Sequence, residues 1–328
     1  MPAPTRPGLP RRALAALPLL AATPAPAQEE AWRPERPVSV LVPFAPGSGT
    51  DVVARLLVPL VAEEVRGTLV VENRAGANGA IAATAVARAR PDGGTLLFAT
   101  NTTHAANPAL MRRLDYDPVR DFAPVARIGH ATFVLLVGRH VPARTLPDLV
   151  AWARAKPGGM TYASANAIGV VGFANLARRG GFEATHVPYR AGPAALTDTV
   201  AGRADGLMID IVSSLGHVRE GTLVPLAALL PDRTPLLPEV PTMREAGMGD
   251  LSLPAWYGLF LPAGAPDRVV RAFGNATLRV LARPAVRERL AGFGCEVAPL
   301  GPEEFRDYVG ESLARWGEMT RAAGVEPE

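Results

Sequence analysis

A serine between two glycines, in Pro46-Gly47-Ser48-Gly49, sits where an apolar run ends and an amphipathic one begins. Two kinds of chemistry could use it. A nucleophilic serine needs a sharp G-x-S-x-G turn and a base held against its hydroxyl. This stretch reads Ala-Pro-Gly-Ser-Gly, and no motif ties His104, His130, His140, His186 or His217 to Ser48. A serine that contacts an anion needs only backbone N–H groups beside it at the positive end of a helix, with glycines that let the anion approach. A third reading involves no ligand: the glycines make a tight turn that requires φ > 0. Other signatures are missing. No histidines are spaced H-x-x-x-H, no G-x-x-x-x-G-K-[ST] occurs, and Gly47-Ser48-Gly49 runs into Thr50-Asp51-Val52 without a third glycine. No metal site and no cofactor are expected.

The elements that must hold this turn follow from periodicity. Val38, Val40 and Val42 alternate while Leu41 fills the other face, as in a buried parallel strand. Thr50 can cap a helix whose apolar residues are Val53, Leu56, Leu57 and Leu60. Pro59 falls inside that helix and should bend it, with Val61 to Val65 continuing. Strands at 38–43, 68–73 and 95–100 alternate with helices at 50–65 and 79–90. A second set has strands at 160–164, 184–189 and 206–210, with helices at 170–179 and 192–202. Both read β-α-β-α-β, which implies parallel strands with right-handed crossovers.

Open α/β sheets bind ligands beyond the carboxyl ends of their strands. Those ends carry Phe44 to Gly49, Asn101 to His104, Ser164 to Gly169, and Asp210 to Ser214. All four loops are small and polar, able to present N–H groups, hydroxyls and amides. The apolar stretches 124–138 and 251–264 can cross between two lobes and back, forming a hinge. Three helices, at 266–282, 284–292 and 302–322, complete the chain, the last opened by Gly301-Pro302-Glu303-Glu304.

Residues 1–27 read as an export signal: Arg6, Arg11 and Arg12, an apolar run from Ala13 to Ala22, and Ala25-Pro26-Ala27 as a cleavage site. They hold three arginines and no acid, so the rest of the chain has 31 basic and 31 acidic residues. The basic balance of the full chain is therefore no sign of nucleic-acid binding. Cys295 is the only cysteine, so neither an internal disulfide nor a thiolate metal site can form. It reads as a small core residue near a strand start.

Several long stretches resemble the periplasmic solute-binding proteins of tripartite tricarboxylate transporters, the Bug family. They run from "WRPERPVSVLVPFAPGSGTDVVARLL" through "VVENRAGANGA", "RPDGGTLLFAT", "LDYDPVRDFAPVARIG", "THVPYRAGPAALTDTVAGRAD" and "LLPEVPTMREAG" to "WYGLFLPAGAP". The resemblance implies an α/β, two-lobed type II periplasmic-binding-protein-like fold, a Venus flytrap. Each lobe would be a mostly parallel sheet flanked by helices, with two crossover strands as hinge. The implied division is 1–27 signal peptide, 28–130 plus 257–328 lobe 1, and 131–256 lobe 2. The implied function is capture of a small organic carboxylate in the periplasm and delivery to the membrane permease subunits, by a monomer with no enzymatic activity. The alternative is a sensor component that hands its closed form to a signalling receptor.

By that resemblance the first anion loop maps onto Phe44 to Asp51, with Phe44, Gly47, Ser48, Gly49 and Thr50 as ligand contacts. The third-strand loop supplies Asn101 and Thr102. The second lobe supplies Ser164, Asn166 and Gly169, and its late acidic position falls on Asp210. Asp210 reads equally as a helix N-cap and as an acceptor for a ligand ammonium or hydroxyl. Asp51 reads as structural. Trp256 and Tyr257 could flank the cleft or be buried in the crossover. The second-lobe loop departs from the family pattern, reading Ile168-Gly169-Val170-Val171-Gly172-Phe173, and Ala191 stands where the family places glycine. An apolar wall of Val170, Val171 and Phe173 would favour a monocarboxylate with an apolar body over citrate.

Overall fold

The computed structural model describes residues 1–3, 32–249, 251, 253 and 255–327. The leader read at 1–27 lies outside them except for its first three residues. Trp32–Glu328 forms one unit and contains every strand among the described residues.

The first β-α-β-α-β run is β1 (Val38–Val42), α1 (Gly49–Val65), β2 (Leu69–Asn73), α2 (Ala80–Ala87) and β3 (Thr95–Thr100). A short α3 (Asn107–Leu110) leads into β4 (Phe122–Ala131), and Thr132 alone joins β4 to β5 (Phe133–Gly138). The second run follows α4 (Leu146–Ala155) and comprises β6 (Met160–Ser164), α5 (Ala167–Gly180), β7 (Ala184–Pro188), α6 (Gly192–Val200) and β8 (Gly206–Asp210). After α7 (Ile211–Arg219) and β9 (Leu223–Ala228), the chain returns through β10 (Trp256–Pro262), α8 (Asp267–Ala282), α9 (Pro284–Gly292), β11 (Cys295–Leu300) and α10 (Pro302–Ala323).

Two sheets result. One has the order β11-β4-β10-β3-β1-β2 and the other β7-β6-β8-β5-β9. The two β-α-β-α-β runs are parallel as expected: β1 with β2 and β3, and β6 with β7 and β8. The crossing and returning strands β4, β5, β9, β10 and β11 pair antiparallel, so both sheets are mixed. The strands that enter each sheet, β10 and β5, run against its parallel set, whereas those that leave, β4 and β9, run with it.

Local chemistry explains the boundaries. Ser48 caps α1 by accepting the Asp51 N–H, and Arg66 ends it in the left-handed region. Pro59 lacks the N–H that would reach the Arg55 carbonyl, but both residues lie on the exposed face and α1 runs on to Val65. The first core gathers on β10, where Trp256 donates to Ser312 Oγ at 2.9 Å and packs with Phe305 of α10. Cys295 is buried at the start of β11, and burial, then Glu296, pushes its thiol up to about 12. Among the described residues, no helix is long and apolar enough to cross a membrane.

Candidate ligand-binding site

The carboxyl ends of β1, β3, β6 and β8 meet at one cavity of about 470 Å³, its open mouth included. The six-stranded sheet contributes Phe44, Ser48, Thr50, Thr100, Asn101, Thr102, Ala131 and Tyr257; the five-stranded sheet contributes Phe133, Ala165, Asn166, Gly192, Ile209 and Asp210. Seven residues expected from sequence therefore lie together: Phe44, Ser48, Thr50, Asn101, Thr102, Asn166 and Asp210. Gly47, Gly49, Ser164 and Gly169 do not line the cavity.

Each of those four has another task. Gly47 adopts φ +80, and nothing lies within 4 Å of where its Cβ would be, so the turn itself requires the glycine. Gly49 makes room for a side chain of the other sheet: its Cβ would stand 2.5 Å from Asp210 Oδ1. Gly169 lies against Ser164, whose Cβ would be 2.5 Å from an added methyl. The Ser164 hydroxyl is 2.6 Å from His186 Nε2 and fastens β6 to β7 away from the cavity.

The second-lobe segment differs from its sequence reading. Asn166 Oδ1 accepts the Gly169 N–H at 3.0 Å and starts α5 at Ala167, so 168–173 is helix. Its inner face is turned to the core: Ile168, Val171 and Phe173 are fully buried, and Phe173 stacks on Tyr162 at 4.6 Å between ring centres. Val170 packs at the core's edge. None of the three forms a wall of the cavity, which removes the basis for a monocarboxylate preference. The apolar lining comes from Phe44, Ala131, Phe133, Ala165, Ile209 and the Tyr257 ring. Tyr257 is thus a cleft residue, whereas Trp256 is core.

The electrostatics come from backbone. Ser48, Asn166, Gly192 and Asp210 stand at the N-termini of α1, α5, α6 and α7, so four helices aim their positive ends at one space. No Lys, Arg or His is among the described lining residues. Asp210 caps α7: its Oδ1 accepts the Ser213 N–H at 2.9 Å and hydroxyl at 2.7 Å. Burial raises the Asp210 carboxyl above its ordinary range, against the opposing bonds from Ser213 and Gly49. Asp51, by contrast, is a structural knot. Burial alone would raise it, but the Gly47 N–H, the Asn73 amide and the Arg55 guanidinium together hold it below the usual carboxylate range.

The loop after β3 forms one π-helical turn, Thr102–Ala106. Thr100 Oγ1 accepts the Thr102 N–H at 3.2 Å, and Tyr116 donates to the Thr103 carbonyl at 2.6 Å. This fixes Asn101 at the cavity wall with its Nδ2 buried and no acceptor among the described residues. A buried amide donor without an acceptor is costly and calls for an oxygen from outside the chain.

A family described as "Tripartite tricarboxylate transporter family receptor" matches residues 53–325. The chain belongs to this family. Protein BugT of Bordetella pertussis is 30% identical over 299 residues, spanning 89% of this chain and 91% of its own. Among solved structures, R. palustris Rpa4515 with adipate superposes with a TM-score of 0.87 at 30% identity, over 90% of this chain and 99% of that one. MatC (Rpa3494) from Rhodopseudomonas palustris with bound malate gives 0.80 at 34% identity, over 87% and 99%. This family member thus has the α/β, two-lobed periplasmic-binding-protein fold expected from its sequence.

Proposed function

We propose that this receptor captures a small organic carboxylate in the cavity between its two sheets, without chemical turnover, and delivers it to membrane permease subunits. One observation carries the reading: Asn101, whose buried amide donor has no acceptor among the described residues, lines a space ringed by four helix N-termini. A carboxylate supplies the missing acceptor and takes advantage of the helix ends, each contributing roughly 0.3–1 kcal/mol. A charge-assisted hydrogen bond adds roughly 1.5–3 kcal/mol. Three or four such contacts, less ordering costs, reach about −8 kcal/mol, a micromolar dissociation constant. The adipate and malate of the two R. palustris proteins support the ligand class.

Phe44, Ser48, Thr50, Asn101, Thr102, Asn166, Asp210 and Tyr257 form the proposed contact set. The division read from sequence gives 28–130 and 257–328 to lobe 1, of which 28–31 lie outside the described residues, and 131–256 to lobe 2. Ala131 and Trp256 move to lobe 1, because both pair within the six-stranded sheet. The leader at 1–27 supports export to the periplasm. A thermal-shift screen of acetate, benzoate, adipate, malate and citrate at fixed neutral pH tests the reading. A ligand at about 100 times its Kd contributes roughly 2.7 kcal/mol and visibly raises the melting temperature. If no carboxylate moves it, the reading fails.

A further inference from the structure

The inference concerns the charge of what the cleft takes in, and it rests on the carboxylate-binding reading above. Asp210 and Tyr257 are the titratable groups among the described lining residues. The groups facing Asp210 can be followed element by element. Its own α7 supplies the Ser213 N–H and hydroxyl. From α1 comes the neutral Gly49; the nearby cation, Arg55, is bound to Asp51 at 2.9 Å. From β10 comes the Tyr257 phenol, with Cys295 of β11 beside it. Phe133 of β5 pairs with Asp210 and is apolar, and α6 brings only Gly192 to the cavity. His186 is on β7, beyond β6, held to Ser164 and stacked on Tyr162. No cation from these elements reaches the carboxylate.

A ligand carboxylate entering this cavity is therefore a second anion beside Asp210. The N-termini of α5 and α6 can face it, but that of α7 and, through the Gly49 N–H, that of α1 are already engaged by the Asp210 carboxylate. Two carboxylates side by side, one of them buried, do not both ionise readily, and one holds a proton instead. We propose that Asp210 sets the charge state of the captured ligand: an anionic carboxylate enters together with one proton from solvent, which is held between the ligand and the Asp210 carboxyl. Burial already raises the Asp210 carboxyl above its ordinary range before any ligand arrives. The complex holds its proton more tightly than the free protein, so affinity must rise as pH falls between the free and bound pKa values.

The test uses the purified chain and the best binder from the carboxylate screen. Titration calorimetry in two buffers of different protonation enthalpy, from about pH 5.5 to about pH 8, counts protons taken up. The expected result is uptake approaching one proton, with Kd rising by up to about tenfold per pH unit toward the alkaline end. Asp210→Asn keeps an oxygen for Ser213 and offers the ligand an amide N–H. It should flatten the pH profile and bind at least about tenfold tighter than the parent at alkaline pH. No uptake and a pH-independent Kd in the parent protein overturn the proposal, whether or not the variant folds. Failure of every carboxylate to bind is a separate result and overturns the reading of the site itself.

Discussion

The Asp210 carboxylate lies directly against Gly49, so that a Cβ at 49 would stand 2.5 Å from its Oδ1 and 2.7 Å from its Cγ. Gly49 opens a helix on the six-stranded sheet, and Asp210 closes a strand of the five-stranded one. The contact between the two sheets at this point thus depends on a missing methyl group. A methyl there must move the carboxylate or part the sheets.

Gly49→Ala should weaken carboxylate binding at least tenfold, about 1.4 kcal/mol, with little change in the unfolding midpoint. Alanine suits the first turn of a helix, so the cost falls on the closed arrangement. Gly47→Ala should do the reverse. It meets no atom within 4 Å but must adopt φ +80, costing about 1 kcal/mol of stability. Calorimetry and urea unfolding on both variants separate the two. Equal losses of affinity and stability in Gly49→Ala would show that this glycine, too, only shapes the turn.

Asn101→Ala should cost affinity without costing stability. The variant removes the unpaired buried donor, so the free protein should hold or gain stability while binding falls by roughly 1.5–3 kcal/mol. Parallel losses in melting temperature and affinity would mean that the amide serves the fold.

Phe173→Ala should act on the fold alone. Its ring is fully buried and stacked on Tyr162 with 9° between planes. Truncation should cost about 3–5 kcal/mol of stability and leave the ranking of carboxylates unchanged. A changed ranking would return this side chain to the cleft wall.

His104 should make the protein acid-sensitive. Thr103 Oγ1 donates to the Thr100 carbonyl at 3.0 Å, so its bond with His104 Nδ1, also 3.0 Å, is donated by the imidazole. The other nitrogen, Nε2, is buried without a partner, and the ring stacks on Phe260 at 4.0 Å between centres. Burial lowers its pKa from 6.5 to about 3. The unfolded chain then binds a proton below pH 6.5 that the folded chain refuses until about pH 3. Stability is complete above 6.5 and falls on acidification, by roughly 2 kcal/mol between about pH 6.5 and 4.5. His104→Phe should flatten that slope. Urea midpoints across this range check it, and equal slopes in both proteins would count against a neutral His104.

The strands and the four loops at their carboxyl ends were legible because they follow local rules: alternation, glycine turns and capping residues. Seven of the expected contact residues meet at the cavity for that reason. The rest depended on facts that no local pattern carries. Asn166 begins α5 one turn before the apolar run suggests, which turns Val171 and Phe173 inward. Asn166 is a cap by residue type, whereas the hydrophobic residues point to a start at 170. The π-helical turn at Thr102–Ala106 has no sequence period, and its geometry is held by Tyr116 from outside the segment. Phe133 and Tyr257 reach the cavity because of strand order, which sequence separation conceals.

The crossing at Thr132 bears on how such proteins could diversify. The Ala131 N–H donates to the Ala255 carbonyl at 3.0 Å, so the points where the chain leaves the six-stranded sheet and comes back are one hydrogen bond apart. Everything between them is topologically a cassette. Recombination at these two positions would exchange one whole jaw of the cleft, Asn166 and Asp210 included, without rethreading a strand of the other. A new ligand range could then be acquired in one genetic event, while Ser48, Thr50 and Asn101 stay in place on the other wall of the cavity.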